Sequence, residues 1–338
     1  MIEKRLLAGM LAGCVVVGAA ACGSKGLGYG DPNSIIAVMS ADLWEEASAS
    51  VHAELESTIY TVAEEKAFTV TYQEPYAEFW LELRRFKQML LVGTLSDPWI
   101  QEALDKTVTA EPVTGLGVHQ VRDVWSLDQA VTLVILPEGG GLAELERYLP
   151  EVHELLDLQY LYYARNRMYQ SGIDSALADT LYAEAGFSVL LPEVYRWSRL
   201  DDSTFVFRND NPDPSELIRE VFVTWVSPAP ITLGVDDVLE WRERMVAQYY
   251  SEPQDVSTDA MLVETEPFLG HQAVRVQAQW LNPPDRGWPA GGPFITYGLT
   301  CPNQDRTYLV DAWLYAPGKE KYEYMIQLET ILGTFRCD

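Results

Sequence analysis

The sequence predicts an α+β fold, with an N-terminal α/β layer domain followed by an antiparallel sheet with packed helices. Two observations carry this. Strand-like and helical segments alternate through the first half, whereas strands follow in series through the second and an amphipathic helix closes the chain. Alternation marks layered α/β units, and strands in series with helices on one face mark an α+β architecture.

The first half supports its elements in order. Ser34 to Met39 is a short apolar strand. Trp44, Ala47, Val51 and Leu55 recur at helical spacing and predict a helix over 41–57. Phe68 to Tyr72 alternates as a strand, Tyr76 to Phe86 is a short amphipathic segment, and Met89 to Thr94 is a buried strand. Pro98 to Lys106 is a helix, followed by strands over 118–125 and 130–136 around a turn at Leu127-Asp128-Gln129. Gly139-Gly140-Gly141 opens a long helix towards Ser171, with Leu142, Leu145, Leu149, Val152 and Leu156 as its apolar stripe.

Gly172 ends that helix, and Asp174 or Ser175 caps the next, to Ala185. Strands are expected over 187–191, 204–208 and 218–226, then a helix capped by Asp236 or Asp237 and running to Tyr250. Four more follow, over 261–264, 272–280, 294–300 and 307–315, and the last helix spans 320–335. Val274, Val276, Ala278 and Trp280 alternate with Arg275, Gln277 and Gln279, so one face of that strand is polar. The order of elements in 187–335 resembles the PsbP/Mog1 sandwich, a likeness of fold that carries no function.

The N-terminus reads as an export signal. Glu3, Lys4 and Arg5 precede an uncharged run from Leu6 to Ala21, too short for a span of about 20 apolar residues. A cysteine after small residues points to lipidation. Leu11-Ala12-Gly13-Cys14 looks most like a lipobox, but cutting there leaves a 13-residue signal and exposes Val15-Val16-Val17. Cutting after Ala19-Ala20-Ala21 keeps the usual signal length, about 15–30 residues, and favours Cys22, with Cys14 as the alternative. The expected organisation is a lipoprotein signal peptide over 1–21, a flexible tether over 22–33, an N-terminal α/β domain with a long connecting helix over 34–172, and a C-terminal antiparallel α+β domain over 173–338. Gly23, not Asp, follows the acceptor, which by resemblance to lipoprotein sorting in two-membrane bacteria implies the outer membrane.

Without residues 1–21 the chain keeps 22 basic and 49 acidic residues, a net charge of −27. That excludes nucleic acid as a direct partner. Cys301 and Cys337 are the remaining cysteines, and an oxidising envelope favours their pairing.

Gly30-Asp31-Pro32-Asn33-Ser34-Ile35-Ile36-Ala37-Val38, Gln73-Glu74-Pro75, Arg286-Gly287-Trp288 with Gly291-Gly292-Pro293-Phe294, and Tyr315-Ala316-Pro317 with Lys319 resemble the domain-of-unknown-function 4837 family of bacterial envelope lipoproteins. Lys87-Gln88-Met89 departs from the Arg-Asn-Ile stretch of that family. The resemblance implies a lipid-anchored envelope protein of two α/β-type parts and brings no catalytic residues.

Motifs for chemistry are sparse. His52, His119, His153 and His271 are far apart, with no zinc-binding spacing, so no metal or other cofactor is expected. Gly186-Phe187-Ser188 lacks the second glycine of a hydrolase elbow. Gly139-Gly140-Gly141 lacks the phosphate-loop fingerprint and reads as a tight connection. Asn209, Asp210, Asn211, Asp213 and Glu216 could hold calcium, but with Pro212 and Pro214 they read as turn formers. The constellation that stands out is aromatic. Trp280, Arg286, Trp288 and Tyr297 are the candidate ligand contacts, while Phe294 and Trp313 read as core. The expected function is non-catalytic binding or scaffolding of an envelope protein, peptide or glycan. The alternative is an envelope hydrolase assembled from dispersed carboxylates.

Overall fold

In the computed structural model, residues 25–61, 64–107, 113–210, 216–265 and 267–337 are described. Cys14 and Cys22, the two candidate acceptors, lie outside these residues. The first half runs β1 (Ser34–Val38), α1 (Ala41–Leu55), β2 (Thr58–Tyr60), β3 (Glu64–Lys66), β4 (Thr69–Gln73), α2 (Trp80–Leu83), β5 (Gln88–Gly93), α3 (Pro98–Lys106), β6 (Gly117–Arg122), β7 (Ala130–Ile135) and α4 (Leu142–Met168). Its main sheet has the order β4-β1-β5-β7-β6, parallel except for the antiparallel edge strand β6. Every residue of β5 and β7 is buried, as expected where helices cover both faces of a parallel sheet. Val51 and Leu55 of α1 meet Leu149 and Val152 of α4 on one face; Trp80 and Ile100 close the other. The small ribbon of β2 and β3 was not expected from the sequence, because Glu64-Glu65-Lys66 has no apolar alternation.

The second half runs α5 (Ser175–Ala185), β8 (Arg196–Asp201), β9 (Thr204–Asn209), β10 (Ile218–Val226), α6 (Val235–Tyr249), β11 (Asp255–Glu264), β12 (Pro267–Phe268), β13 (His271–Leu281), β14 (Gly291–Cys301), β15 (Arg306–Tyr315) and α7 (Tyr322–Leu332). The strands form one antiparallel sheet in the order β11-β13-β14-β15-β10-β9-β8, with β12 pairing to β13. Leu181 of α5 and Leu328 of α7 bury one face with Phe187, Phe207 and Tyr308; Val238 of α6 covers the other with Val276 and Trp313. The molecule is therefore α+β throughout. The halves meet through α4 and α7, where the Tyr160 and Tyr322 rings lie 5.4 Å apart and Arg167 Nη1 reaches Glu323 at 2.7 Å.

Four expectations are corrected. Residues 26–29, placed in a flexible tether, are bonded to the segments leading into β5 and β7: Gly28 donates to Leu127 O at 2.8 Å and Lys87 donates to Tyr29 O at 2.9 Å. Residues 187–191 are not a ladder strand. Their inward side chains Phe187, Val189 and Leu191 are fully buried, but the backbone pairs with the C-terminal tail, with Ser188 and Arg336 exchanging both bonds. Helix α6 begins after Gly234, and Asp237 reaches back to accept the Gly234 N–H at 2.7 Å, so it acts from inside the first turn. The strand expected over 294–300 begins earlier, because Gly291-Gly292-Pro293 belongs to β14. A Cβ on Gly292 would stand 1.7 Å from Leu314 O, so only glycine allows that approach.

Cys301 and Cys337 form a disulfide with Cα atoms 6.3 Å apart, joining the end of β14 to the C-terminal tail. Beneath α6 lies a fully buried ion pair. Arg242 Nε donates to Asp311 Oδ1 at 2.8 Å, Thr296 donates to the same oxygen at 2.7 Å, and the guanidinium sits 3.8 Å from the Phe294 ring centre.

Candidate functional site

The α6 face of the second sheet is not wholly covered. Helix α6 lies over β13, β14 and β15, and a groove of about 640 Å³ remains over β8–β10. It is bounded by Tyr249 and Tyr250 at the end of α6 and by the β13–β14 loop. Strand register builds its floor. Arg196, Arg208, Glu220 and Trp313 stand directly opposite one another on β8, β9, β10 and β15. Cross-strand neighbours share a face and touch, so register places a carboxylate between a guanidinium and an indole.

Glu220 is the centre of this row and is 3% exposed. Trp313 Nε1 donates to its Oε1 at 3.2 Å and Arg208 Nη1 to its Oε2 at 3.3 Å. The Tyr250 hydroxyl also bonds to it. Burial raises the Glu220 carboxyl above its ordinary range, although all three partners favour the charged form. Burial raises the Tyr250 hydroxyl well above a free phenol, and the Glu220 charge adds to this. Arg208 also bridges to Asp210 at 3.5 Å, and Arg196 reaches the same carboxylate at 2.9 Å.

Above the floor stands an aromatic wall. Trp280 meets Trp313 edge-on at 5.4 Å, and Tyr250 meets Trp313 at 5.9 Å. Trp280 is 4% exposed and donates its Nε1 proton to Leu314 O at 3.3 Å, so it forms the wall and not a lip. Trp288 is 79% exposed at the groove edge, on the loop 282–290 between β13 and β14. Asn282 closes that loop by donating to Trp288 O at 2.6 Å and by its backbone bond to Ala290. Gly287 takes φ +81°, and a Cβ there would strike Glu252.

The four candidate contacts thus separate. Trp288 and Trp280 come together at the groove. Arg286 is exposed on the same loop, 4.0 Å from Asp285, but is not part of the groove wall. Tyr297 lies on the opposite face of the sheet. It is 4% exposed, stacks on Phe268 at 4.0 Å and accepts a hydrogen bond from Arg275, which removes it from the candidate surface. Glu220, Arg208, Tyr250 and Trp313 were missed or read as core, since nothing in the linear sequence sets the cross-strand row.

Two weaker sites resolve structurally. Glu144 accepts the Gly141 N–H at 3.1 Å, so a carboxylate already occupies the helix start after Gly139-Gly140-Gly141. Of the Asn209–Glu216 cluster, Asp210 is engaged with arginines, while Asn211 and Asp213 lie outside the described residues.

Residues 174–334, which hold the whole groove, match the family model described as Domain of unknown function (DUF4837). The resemblance read from Arg286-Gly287-Trp288 and Tyr315-Ala316-Pro317 falls inside this stretch; Gly30–Val38 and Gln73–Pro75 lie before it. No curated protein matches the chain. Solved structures similar to it include these two. One is the solution structure of cyanobacterial PsbP (CyanoP) from Synechocystis sp. PCC 6803, at 10% identity and a TM-score of 0.32, covering 45% of this chain and 87% of that one. The other is the Ran-binding protein Mog1p of Saccharomyces cerevisiae, at 10% identity and a TM-score of 0.30, covering 46% of this chain and 92% of that one.

Proposed function

We propose that this chain is a lipid-anchored envelope protein, held at the outer membrane through Cys22, that binds a peptide segment of another envelope protein in the groove beneath Trp288. The observation that carries the reading is the combination of an exposed tryptophan at the lip with a floor whose central groups, Glu220 and two indoles, are already engaged. Both oxygens of Glu220, the indole N–H groups of Trp280 and Trp313, and the Asn282 amide nitrogen all have protein partners. Of the buried groove atoms, Asn282 Oδ1 is left to meet a polar group of the ligand. The aromatic wall suits an apolar or aromatic anchor side chain, the usual centre of a peptide contact.

The same bonds weigh against hydrolysis. A general acid needs an oxygen within reach of the substrate. Glu220 has the raised pKa of such a group, but its oxygens are committed to Trp313, Arg208 and Tyr250. Its role in this reading is to hold the wall and floor in place.

The test is substitution of the lip. Trp288→Ala is expected to lose the partner retained by wild-type protein in its native envelope, with stability changed by no more than about 0.5 kcal/mol, as for an exposed site. Unchanged retention of the partner by Trp288→Ala would contradict the proposal.

A further inference from the structure

The first half of the chain holds a second cavity, of about 640 Å³, between α4 and the ends of β5, β6 and β7. Its chemistry is the reverse of the groove's. Gln88, Gln120 and Gln159 line it from β5, β6 and α4, in an interface where helix and sheet otherwise meet through Leu, Val and Ala. Gln88 Oε1, Gln120 Nε2 and both amide atoms of Gln159 have no protein partner and are sealed from bulk solvent. Thr132 Oγ1, directly opposite Gln120 in the ladder, is a further buried atom without one. Buried polar groups are normally paired, so this many in one place requires an account. Each amide ends a flexible unbranched side chain with several staggered rotamers. Amide orientation at such sites follows the partner that is present.

The rim adds charge and a ring face. Lys87 and Arg122 at the rim make no ion pair among the described residues. Arg122 instead donates to Gln120 Oε1 at 3.5 Å, and Lys87 lies 5.7 Å from the ring centre of Tyr163. Asp128 is the acid that faces them.

We infer that this cavity binds a small acidic saccharide. A hydroxyl both donates and accepts, so adjacent sugar hydroxyls can meet amide oxygens and amide nitrogens together, which neither a carboxylate nor an ammonium group does. Lys87 and Arg122 take the acidic group, and Tyr162 and Tyr163 offer ring surface to the sugar's C–H face. The volume falls within the range of about 300–1,000 Å³ usual for small-ligand sites and holds one or two sugar rings.

Isothermal titration of the intact protein with galacturonate, galactose and acetate tests this. Galacturonate is expected to bind at least about tenfold more tightly than either control, a difference of about 1.4 kcal/mol. Gln159→Leu removes two orphan atoms and is expected to fold with unchanged or higher thermal stability while losing the galacturonate signal. Arg122→Ala is expected to keep only the weak affinity seen with galactose. Trp288→Ala, at the separate groove, is expected to bind galacturonate as the wild type does. Absence of galacturonate binding in the wild type, equal binding of all three probes, or full binding by folded Gln159→Leu would each overturn the assignment.

Discussion

At the scale of single residues, the function proposed here turns on Trp288 and Glu220. Trp288 was legible as a candidate because its loop is rich in proline and glycine and joins two strands by more residues than a plain hairpin needs. Glu220 was not legible, being one acid among fifty in the sequence. Its environment makes a signed prediction. Burial raises its folded-state pKa above the unfolded value, so the fold prefers the neutral carboxyl. Its contribution to stability is therefore fully present below the unfolded pKa of about 4.3 and is lost as pH rises through the folded value. Glu220→Gln, which stays neutral, is expected to raise the melting temperature near neutral pH and to have little effect near pH 4, where the native carboxyl is already protonated. Thermal melts across this range check it. A loss of stability at neutral pH that disappears in acid would give the opposite sign.

At the scale of elements, helices and buried strands were readable because their patterns are local. The period of Leu145, Leu149, Val152 and Leu156 fixes the inner face of α4 over several turns, and the residues of β7 are apolar without interruption. Strand β8 was missed because all six of its residues are exposed, so Arg196–Asp201 carries no alternation of burial. The Arg196–Arg208–Glu220–Trp313 row depends on register among four strands spread over much of the second half, which no linear pattern encodes. The buried pair under α6 is similar, since Arg242 and Asp311 are far apart in sequence and look like surface charges there. Removing one partner leaves the other buried and uncompensated. Asp311→Ala is accordingly expected to destabilise the protein by about 3–5 kcal/mol in chemical denaturation. A cost below about 1 kcal/mol would mean that water reaches Arg242. The disulfide acts on a larger loop, Pro302 to Arg336. Its reduction is expected to remove about 3–4 kcal/mol and lower the melting temperature, with α7 loosened from the sheet.

At the scale of the whole molecule, the chain combines a parallel α/β half and an antiparallel half joined through α4 and α7, and the division into these two textures was visible in the order of elements. No described helix is long and apolar enough to cross a membrane. The proposed lipid attachment at Cys22 predicts that mass spectrometry of the mature N-terminus finds an acylated peptide beginning at that residue. An acylated peptide beginning at Cys14 would move the cleavage site. The groove and the saccharide cavity lie in different halves, so the two binding proposals can be tested separately. The central claim, that the lip of the groove is where this protein meets its partner, is addressed most directly by placing a photo-crosslinking amino acid at position 288 and irradiating cells. Position 231, occupied by the fully exposed Ile231, serves as the control. A discrete adduct with another envelope protein from position 288, absent from position 231, is the predicted result; no adduct from 288, or the same adducts from both positions, would contradict it.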